Sequence, residues 1–348
     1  VNFFKRLAYL PLELGYRTGV FFRNLWYDYI NKGHKFPVKI ISVGNLSVGG
    51  TGKTPMAEWL INYAISCNIS CAYLSRGYGR KTHGFILVQP EAHTAIEVGD
   101  EALQVASNFH IPVAVCENRV LGVQELLKKF PDLQLIILDD AFQHRKIYRD
   151  LDILMIDPSH SPFKDYLLPT GRLREPASNH KRAQLAVISK ANLFSPNELK
   201  SVSSRIKISK AQAKLVSLGL RNCFDYSEIP LETINRNPCY AISGIGNNRL
   251  FIKQLFATNL NVIGYKAYKD HYMIKEHELK KVVYKCKDYV KNKIFHVDPV
   301  IVMTEKDFYR LKNQPYFIKQ EIEIYFLKVG FHFDTVPKEI EKFFKQFE

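Results

Sequence analysis

Val43-Gly-Asn-Leu-Ser47-Val-Gly49-Gly50-Thr51-Gly52-Lys53-Thr54-Pro55 is the stretch whose reading decides the fold. It follows the strand-like run Val38-Lys-Ile-Ile-Ser42 and precedes a segment in which Met56, Leu60, Tyr63 and Ala64 recur on one helical face. Strand, glycine-rich turn and helix in that order read as a phosphate cradle. The glycines let several backbone N–H groups aim at one anion, Lys53 adds a compact positive charge, and the Thr54 hydroxyl can join a Mg2+ shell. Pro55 suits a first helical turn, where its missing N–H is not needed. The general pattern GxxxxGK followed by Ser or Thr wants glycine where Ser47 stands, and Gly49 and Gly50 supply the flexibility instead. Ser47, Val48, Gly49, Gly50, Thr51, Gly52, Lys53 and Thr54 are therefore expected around a nucleoside triphosphate. The bland alternative is a glycine-rich turn with a chance Gly-Lys-Thr.

Outward from this turn, short apolar runs alternate with helix-length segments. Strands are expected at Lys39 to Val43, Ser70 to Leu74, Val113 to Cys116, Leu133 to Leu138, Asp152 to Ile156 and Gln184 to Ser189. Such runs predict a parallel sheet buried on both faces, with ligands gathered beyond the carboxyl ends of its strands. Leu135-Ile-Ile-Leu138 ends in Asp139-Asp140, a placement that carries carboxylate toward the magnesium of a P-loop, although surface-turn aspartates would look similar. Ser75-Arg76-Gly77-Tyr78-Gly79-Arg80 bears guanidinium groups suited to phosphate or to an ordinary basic turn. Asp100 and Glu101 open a helix, where acidic residues are favoured for dipole reasons alone. Arg119, after a strand, and Arg174, in Gly171-Arg172-Leu173-Arg174-Glu175-Pro176, could meet phosphate or form surface ion pairs.

From about Asn222 the pattern restarts, with strands expected at Pro238 to Ser243, Val262 to Tyr265 and Val300 to Met303. The expectation is an α/β protein: an amphipathic helical segment over residues 1–36, a P-loop-type parallel-sheet core over 37–225, and a second, smaller α/β domain over 226–348. Gly244 and Gly246 lack the third glycine of a dinucleotide fingerprint, which argues against a Rossmann cofactor site.

The 348-residue chain is long enough for two cores. Its six cysteines show no CxxC pairing, which speaks for reduced, buried thiols rather than structural zinc. A formal net charge of +15 calls for an anionic partner or surface, yet no nucleic-acid module is recognisable. At the N-terminus Phe3, Leu7, Leu10, Leu14, Phe21 and Leu25 fall near one helical stripe widened by Phe4, Tyr9, Phe22 and Trp26. Lys5, Arg6, Arg17 and Arg23 keep this segment short of a transmembrane span and fit an interfacial helix on an anionic membrane surface. Pro11 is expected to kink or divide it. Packing on the protein's own core is the alternative, and no signal-peptide cleavage pattern follows.

The ordered set VGNLSVGGTGKTP, SRGYGR, VGDEA, ENR, DDAFQHR, LREP, AISGIGN, Asp270-His271 and TEKD closely resembles the tetraacyldisaccharide 4'-kinase family of lipid A biosynthesis. The resemblance spans nearly the whole chain, and the serine in the cradle is similar to that family's own P-loop. It implies transfer of the ATP γ-phosphate, with Mg2+, to the 4'-hydroxyl of tetraacyldisaccharide 1-phosphate, giving lipid IVA at the cytoplasmic face of the bacterial inner membrane. It further implies a peripheral or monotopic enzyme with two domains joined by a hinge. Asp100 is then the proton acceptor and His271 its dyad partner, although His271 unaided reads as a surface histidine at a strand end. Lys53 would cover developing charge, and Thr54, Asp139 and Glu101 would organise Mg2+. Arg76, Tyr78, Arg119, Asp140 and Arg174 are weaker candidates for substrate or phosphate contacts. Ala141 stands where glycine is expected in many relatives. The competing functions are a soluble P-loop NTPase acting as a partner-binding switch and a nucleic-acid-stimulated ATPase.

Overall fold

The structure, a computed structural model, describes residues 3–293, 297–318 and 321–347, with side chains from Tyr9 to Lys291 in the first stretch. Its first sheet comprises β1 (Lys39–Gly44), β2 (Cys71–Ser75), β3 (Ile86–Leu87), β4 (Val113–Val115), β5 (Leu135–Asp139), β6 (Leu151–Ile156), β7 (Leu185–Ile188) and β8 (Ser209–Gln212). Their order is β3-β4-β2-β5-β1-β6-β7-β8, and all pairings are parallel except that of β3 with β4. β1 lies inside the sheet, so alternate residues meet different cores. Ile41 and Val43 pack with Met56 and Leu60 of the helix after the P-loop, while Ile40 joins Leu74, Val123 and Ile136 on the other face. Burial on both faces explains the unbroken apolar runs in the sequence.

The chain leaves this sheet at Ala213. β9 (Lys214–Asn222), β10 (Glu228–Ile229), β11 (Cys239–Ser243), β12 (Val262–Ala267), β13 (Val300–Thr304) and β14 (Glu323–His332) form a second sheet in the order β10-β9-β14-β13-β11-β12. β9 runs antiparallel to both β10 and β14, and the other pairs are parallel. The C-terminal helix Lys338–Phe344 then returns to the helix that starts at Lys53: Phe344 meets Tyr63 edge-on at 4.8 Å, and Phe333 meets Trp59 at 4.8 Å. Aromatic pairs and a shared apolar cluster therefore bind the two sheets along one seam.

The N-terminal helix runs unbroken over Phe3–Tyr29 with Pro11 inside it. Pro11 forgoes one backbone hydrogen bond without dividing the helix, so of the expected kink or division the division does not occur. One side is tied to the first sheet: Tyr16 donates to the Arg174 carbonyl at 2.8 Å, Arg23 lies 3.4 Å from Glu175, and Asp28 pairs with Arg145 at 2.5 Å. The other side exposes Leu10, Leu12, Leu14, Phe21, Phe22, Leu25 and Trp26. The portion of the stripe on Phe3, Phe4, Lys5, Arg6 and Leu7 lies outside the described side chains. Among the described residues no helix is long and apolar enough to cross a membrane.

Two carboxylates are enclosed where the sheets meet. Gln104 Nε2 donates to Glu58 at 2.9 Å and to Glu305 at 3.2 Å, and Asn108 Nδ2 donates to the same pair at 3.3 and 2.8 Å. Burial, reinforced by the Glu305 charge, pushes Glu58 up to about 8, and burial pushes Glu305 up to about 7. Both groups thus bind protons more tightly folded than unfolded. Their stabilising contribution is complete below the unfolded carboxylate pKa near 4.5 and is lost as pH rises through 7 to 8. Glu58→Gln should raise stability at pH 8.5 by on the order of 1–3 kcal/mol, each pKa unit being worth about 1.4 kcal/mol, and change it little at pH 5. Urea unfolding at both pH values checks this, and equal effects at the two would refute it.

Candidate active site

The cradle grows directly out of β1. Asn45 Nδ2 donates to the Thr51 hydroxyl at 3.0 Å, and the Thr51 N–H reaches the Gly49 carbonyl at 3.1 Å. Ser47 forms an isolated β-bridge with Leu173, and Val48 N–H donates to the Arg172 carbonyl at 2.9 Å. The left-handed positions fall later, at Gly49 (φ 116°) and Gly52 (φ 90°). Ser47 sits in bridge-paired backbone that any residue can adopt, which is why serine suffices where the general pattern has glycine. Lys190, extending from the end of β7, clamps the loop by donating to the Gly50 carbonyl at 3.1 Å while pairing with Asp157 at 2.7 Å.

The second sheet closes over this loop. A Cβ on Gly52 would lie 2.7 Å from the ring of Phe331, and one on Gly246 would lie 3.3 Å from the Gly50 amide nitrogen. The helix Lys53–Ser66 begins at Gly52 with no side-chain cap, which leaves its first amides to an anion. Lys53 and Thr54 are buried in its first turn. A cavity of about 520 Å3 runs from these residues to Leu250, Phe251, His271 and Lys306 of the second sheet's unit.

Parallel pairing of β1 with β5 sets Val43 beside Asp139, so the acidic end of β5 lies next to the cradle. Asp139 accepts from the Tyr73 hydroxyl at 2.7 Å and from the Asp140 N–H at 2.8 Å. Burial and the negative charge of Glu101 push its carboxyl up to about 6 despite Lys53 nearby. Asp140 has a left-handed φ of 47° and accepts Arg174 Nη1 at 2.9 Å on both oxygens, with Lys53 Nζ at 3.6 Å. Burial alone would raise Asp140, but Lys53 and Arg174 hold it below the usual carboxylate value. Arg119 is buried and reaches the Asp139 carbonyl at 3.3 Å, whereas Arg76 is exposed at the rim. These residues, with Tyr78 and Glu101, line an adjoining cavity of about 360 Å3.

The donor set suits magnesium. Among the described residues no cluster of three or more His, Cys, Asp or Glu side chains makes a ready cage. Mg2+ commonly takes one or two carboxylates together with phosphate and water oxygens, however. The Thr54 hydroxyl and the crowded, charge-starved Asp139 offer hard oxygen ligands of that kind, with Glu101 facing the same cavities.

Asp100 comes from the first sheet's side of the seam and His271 from the second. Their Oδ2 and Nδ1 atoms are 3.4 Å apart, and the ring of Tyr78 lies 5.0 Å from that of His271. His271 has a left-handed φ of 57°, held by its N–H donating to the Gly244 carbonyl at 3.1 Å. Arg310 also grips Asp100, through Nε at 2.8 Å and Nη2 at 2.5 Å. Burial would raise the Asp100 pKa, but the His271 hydrogen bond and the charges of Arg310 and Lys306 hold it far below the carboxylate range. Lys306 pairs with Glu101 at 2.5 Å.

Similarity to known proteins points the same way. The sequence profile of the tetraacyldisaccharide-1-P 4'-kinase family, LpxK, matches residues 5–347. A tetraacyldisaccharide 4'-kinase of Cytophaga hutchinsonii is 35% identical over 323 residues, covering 88% of this chain and 86% of its own. One from Chlorobium limicola is 36% identical over 312 residues, covering 87% and 86%. A crystal structure of "apo" form LpxK from Aquifex aeolicus in complex with ATP superposes with a TM-score of 0.77 at 29% identity, covering 99% of both chains. The chain belongs to the tetraacyldisaccharide-1-P 4'-kinase family. It is an ATP- and Mg2+-dependent kinase of lipid A biosynthesis, which sets aside the partner-binding switch.

The kinase gathers nearly all of the sequence-derived candidates around two joined cavities: the cradle, Asp139, Asp140, Glu101, Arg174, Tyr78 and His271, with Arg76 at the rim, Arg119 behind and Asp100 buried against His271. Sequence reasoning missed Arg310, Lys306, Lys190 and Tyr73. Arg310 lies three residues after Asp307, one helical turn on, so the TEKD segment held a usable signal for it. Tyr73 is an interior strand residue with no such mark. In the kinase, Gly52→Ala must force a β-carbon into both a left-handed position and the Phe331 ring. It should weaken binding of a non-hydrolysable ATP analogue at least about tenfold and cost about 1–3 kcal/mol of stability. Calorimetric titration and thermal melts measure the two effects, and wild-type affinity would contradict them.

Proposed function

We propose that this kinase moves the ATP γ-phosphate to the 4'-hydroxyl of tetraacyldisaccharide 1-phosphate across the seam between its sheets. The observation that carries the reading is that the cradle and His271, whose Nδ1 lies 3.4 Å from the buried Asp100 Oδ2, line one continuous cavity. The residues on the cradle side hold the β and γ phosphates; Lys53 and the amides at the start of its helix meet the charge that develops there. Thr54 and Asp139, with Glu101, are the proposed metal ligands. When bound, Mg2+ supplies charge neutralisation at the phosphates.

On the acceptor side, Asp100 takes the hydroxyl proton and His271 orients the carboxylate. Transfer of a phosphoryl group depends chiefly on positioning and charge, so Asp100 needs to be ionised and correctly aimed more than it needs to be strongly basic. Arg174, fixed on Asp140, and Arg76 and Arg119 give the adjoining cavity its positive wall for phosphate. Closure of the two sheets' units on each other, as proposed from the close approach of Gly246 to the loop, excludes water from the γ-phosphate.

The exposed side of the N-terminal helix, with its leucines and aromatics beside Arg17, supports a peripheral or monotopic seat on an anionic membrane, at the cytoplasmic face where ATP is supplied. Purified enzyme with ATP, Mg2+ and the disaccharide 1-phosphate should yield a bis-phosphorylated lipid. Asp100→Asn should keep ATP affinity and lose turnover by about 100-fold or more, and normal turnover would remove Asp100 as proton acceptor. Deleting residues 1–30 should abolish flotation with anionic liposomes; unchanged flotation would place the membrane contact elsewhere.

A further inference from the structure

We propose that Arg310 is a positioning residue for phosphoryl transfer: anchored wholly on the second sheet's unit, it reaches across the seam and fixes the Asp100 carboxylate in its working orientation. The inference rests on the reading of Asp100 as the proton acceptor.

The guanidinium is preassembled. Its Nη1 donates to the Gly244 carbonyl at 2.7 Å and to Asp307 Oδ1 at 2.9 Å. Asp307 is held in turn by the Gly244 N–H at 2.9 Å and the Thr304 hydroxyl at 2.5 Å. The Gly244 carbonyl also receives the His271 N–H, so one turn fixes both the imidazole and the guanidinium. That leaves Nε and Nη2 facing Asp100 Oδ2, which His271 Nδ1 also approaches at 3.4 Å, while Nη2 lies 3.3 Å from the same His271 nitrogen. From its own side of the seam Asp100 Oδ1 is held by the Glu101 N–H at 3.0 Å. With one oxygen tied on each side, rotation of the carboxylate is restrained, and the lone pair left open on Oδ1 is presented in a fixed direction.

A fork-shaped guanidinium is suited to this task and an ammonium is not, because Gly244, Asp307, Asp100 and His271 must all be met at once. Since the step requires aim rather than basicity, a cation on Oδ2 is compatible with proton acceptance at the opposite edge. An arginine that served only to staple the sheets would need no such alignment with the proposed base and its histidine.

The test is a double-mutant cycle between Arg310→Gln and Asp100→Asn, read in kcat and in the KM for ATP. Arg310→Gln alone should lower kcat about 10- to 100-fold with the KM for ATP moved less than about threefold. In the Asp100→Asn background the same change should lower the residual rate less than about threefold, because a residue acting through Asp100 has nothing left to orient. Arg310→Lys should fall between wild type and Arg310→Gln, and it carries the same cycle if thermal melting shows that the glutamine variant does not fold. Equal losses in both backgrounds, or a raised KM with kcat intact, would overturn this proposal alone. Wild-type turnover by Asp100→Asn would overturn the proton-acceptor reading and this proposal with it.

Discussion

Parallel pairing of β1 with β5 is the constraint from which the site follows. It brings the carboxyl ends of the two strands to one sheet edge, with Val43 level with Asp139, so the phosphate cradle and the acidic pair are neighbours by backbone hydrogen bonding alone. Side chains then refine what the register has set. Asp140 turns left-handed to place its carboxylate between Lys53 and Arg174, while Asp139 stays inside, tethered by Tyr73. A slip of one residue would point the β5 side chains to the opposite face and undo this arrangement.

Electrostatic balance divides the buried acids into two kinds. Asp100 and Asp140 sit against guanidinium groups, so each remains charged in spite of burial. Burial drives Asp139, Glu58 and Glu305 toward the neutral form, reinforced by the Glu101 charge at Asp139 and the Glu305 charge at Glu58, and at Glu305 it outweighs the nearby Lys328 and Arg221. Asp139 faces the cavity beside the cradle, where a cation can relieve it; the Glu58–Glu305 pair shares the Gln104 and Asn108 amides, with Glu305 at the wall of the larger cavity, and is relieved by protonation. The same physical strain therefore has a ligand-binding outcome at one place and a pH-dependent stability outcome at the other.

The strands and the cradle were legible because burial on both faces leaves continuous apolar runs and because glycine is required where φ turns positive. Asp139-Asp140 was legible as the polar end of such a run. Arg310 carried only an indirect mark, its one-turn spacing from Asp307, because nothing local shows that its other partner is a carboxylate 210 positions away. Asp100 and His271 were likewise ambiguous from composition alone, one resembling a helix-start acid and the other a strand-end histidine. Their proximity is created by the packing of two sheets, a long-range fact that no spacing along the chain encodes. At Pro11 the helix is not divided, because an exposed helix with neighbouring turns intact can tolerate one lost bond.

The short segment Arg172 to Glu175 joins the N-terminal helix to the cradle. Arg172 and Leu173 pair with Val48 and Ser47, Arg174 holds Asp140, and the Arg174 carbonyl receives Tyr16. Glu175, fully enclosed, is shared by Arg23 of that helix, Arg182 and Asn179. Four consecutive residues thus contact the helix on one side and the phosphate loop on the other, with no flexible linker between them. A helix seated at a lipid surface through its exposed leucines and aromatics would carry this segment with it, so the depth and tilt of the helix would set how the cavity beside Arg174 and Asp140 meets an acylated sugar. The exposed stripe and the buried carboxylates are in that sense parts of a single arrangement, joined where the backbones of Leu46 and Val48, on either side of the serine that departs from the general P-loop pattern, bond to Arg174 and Arg172.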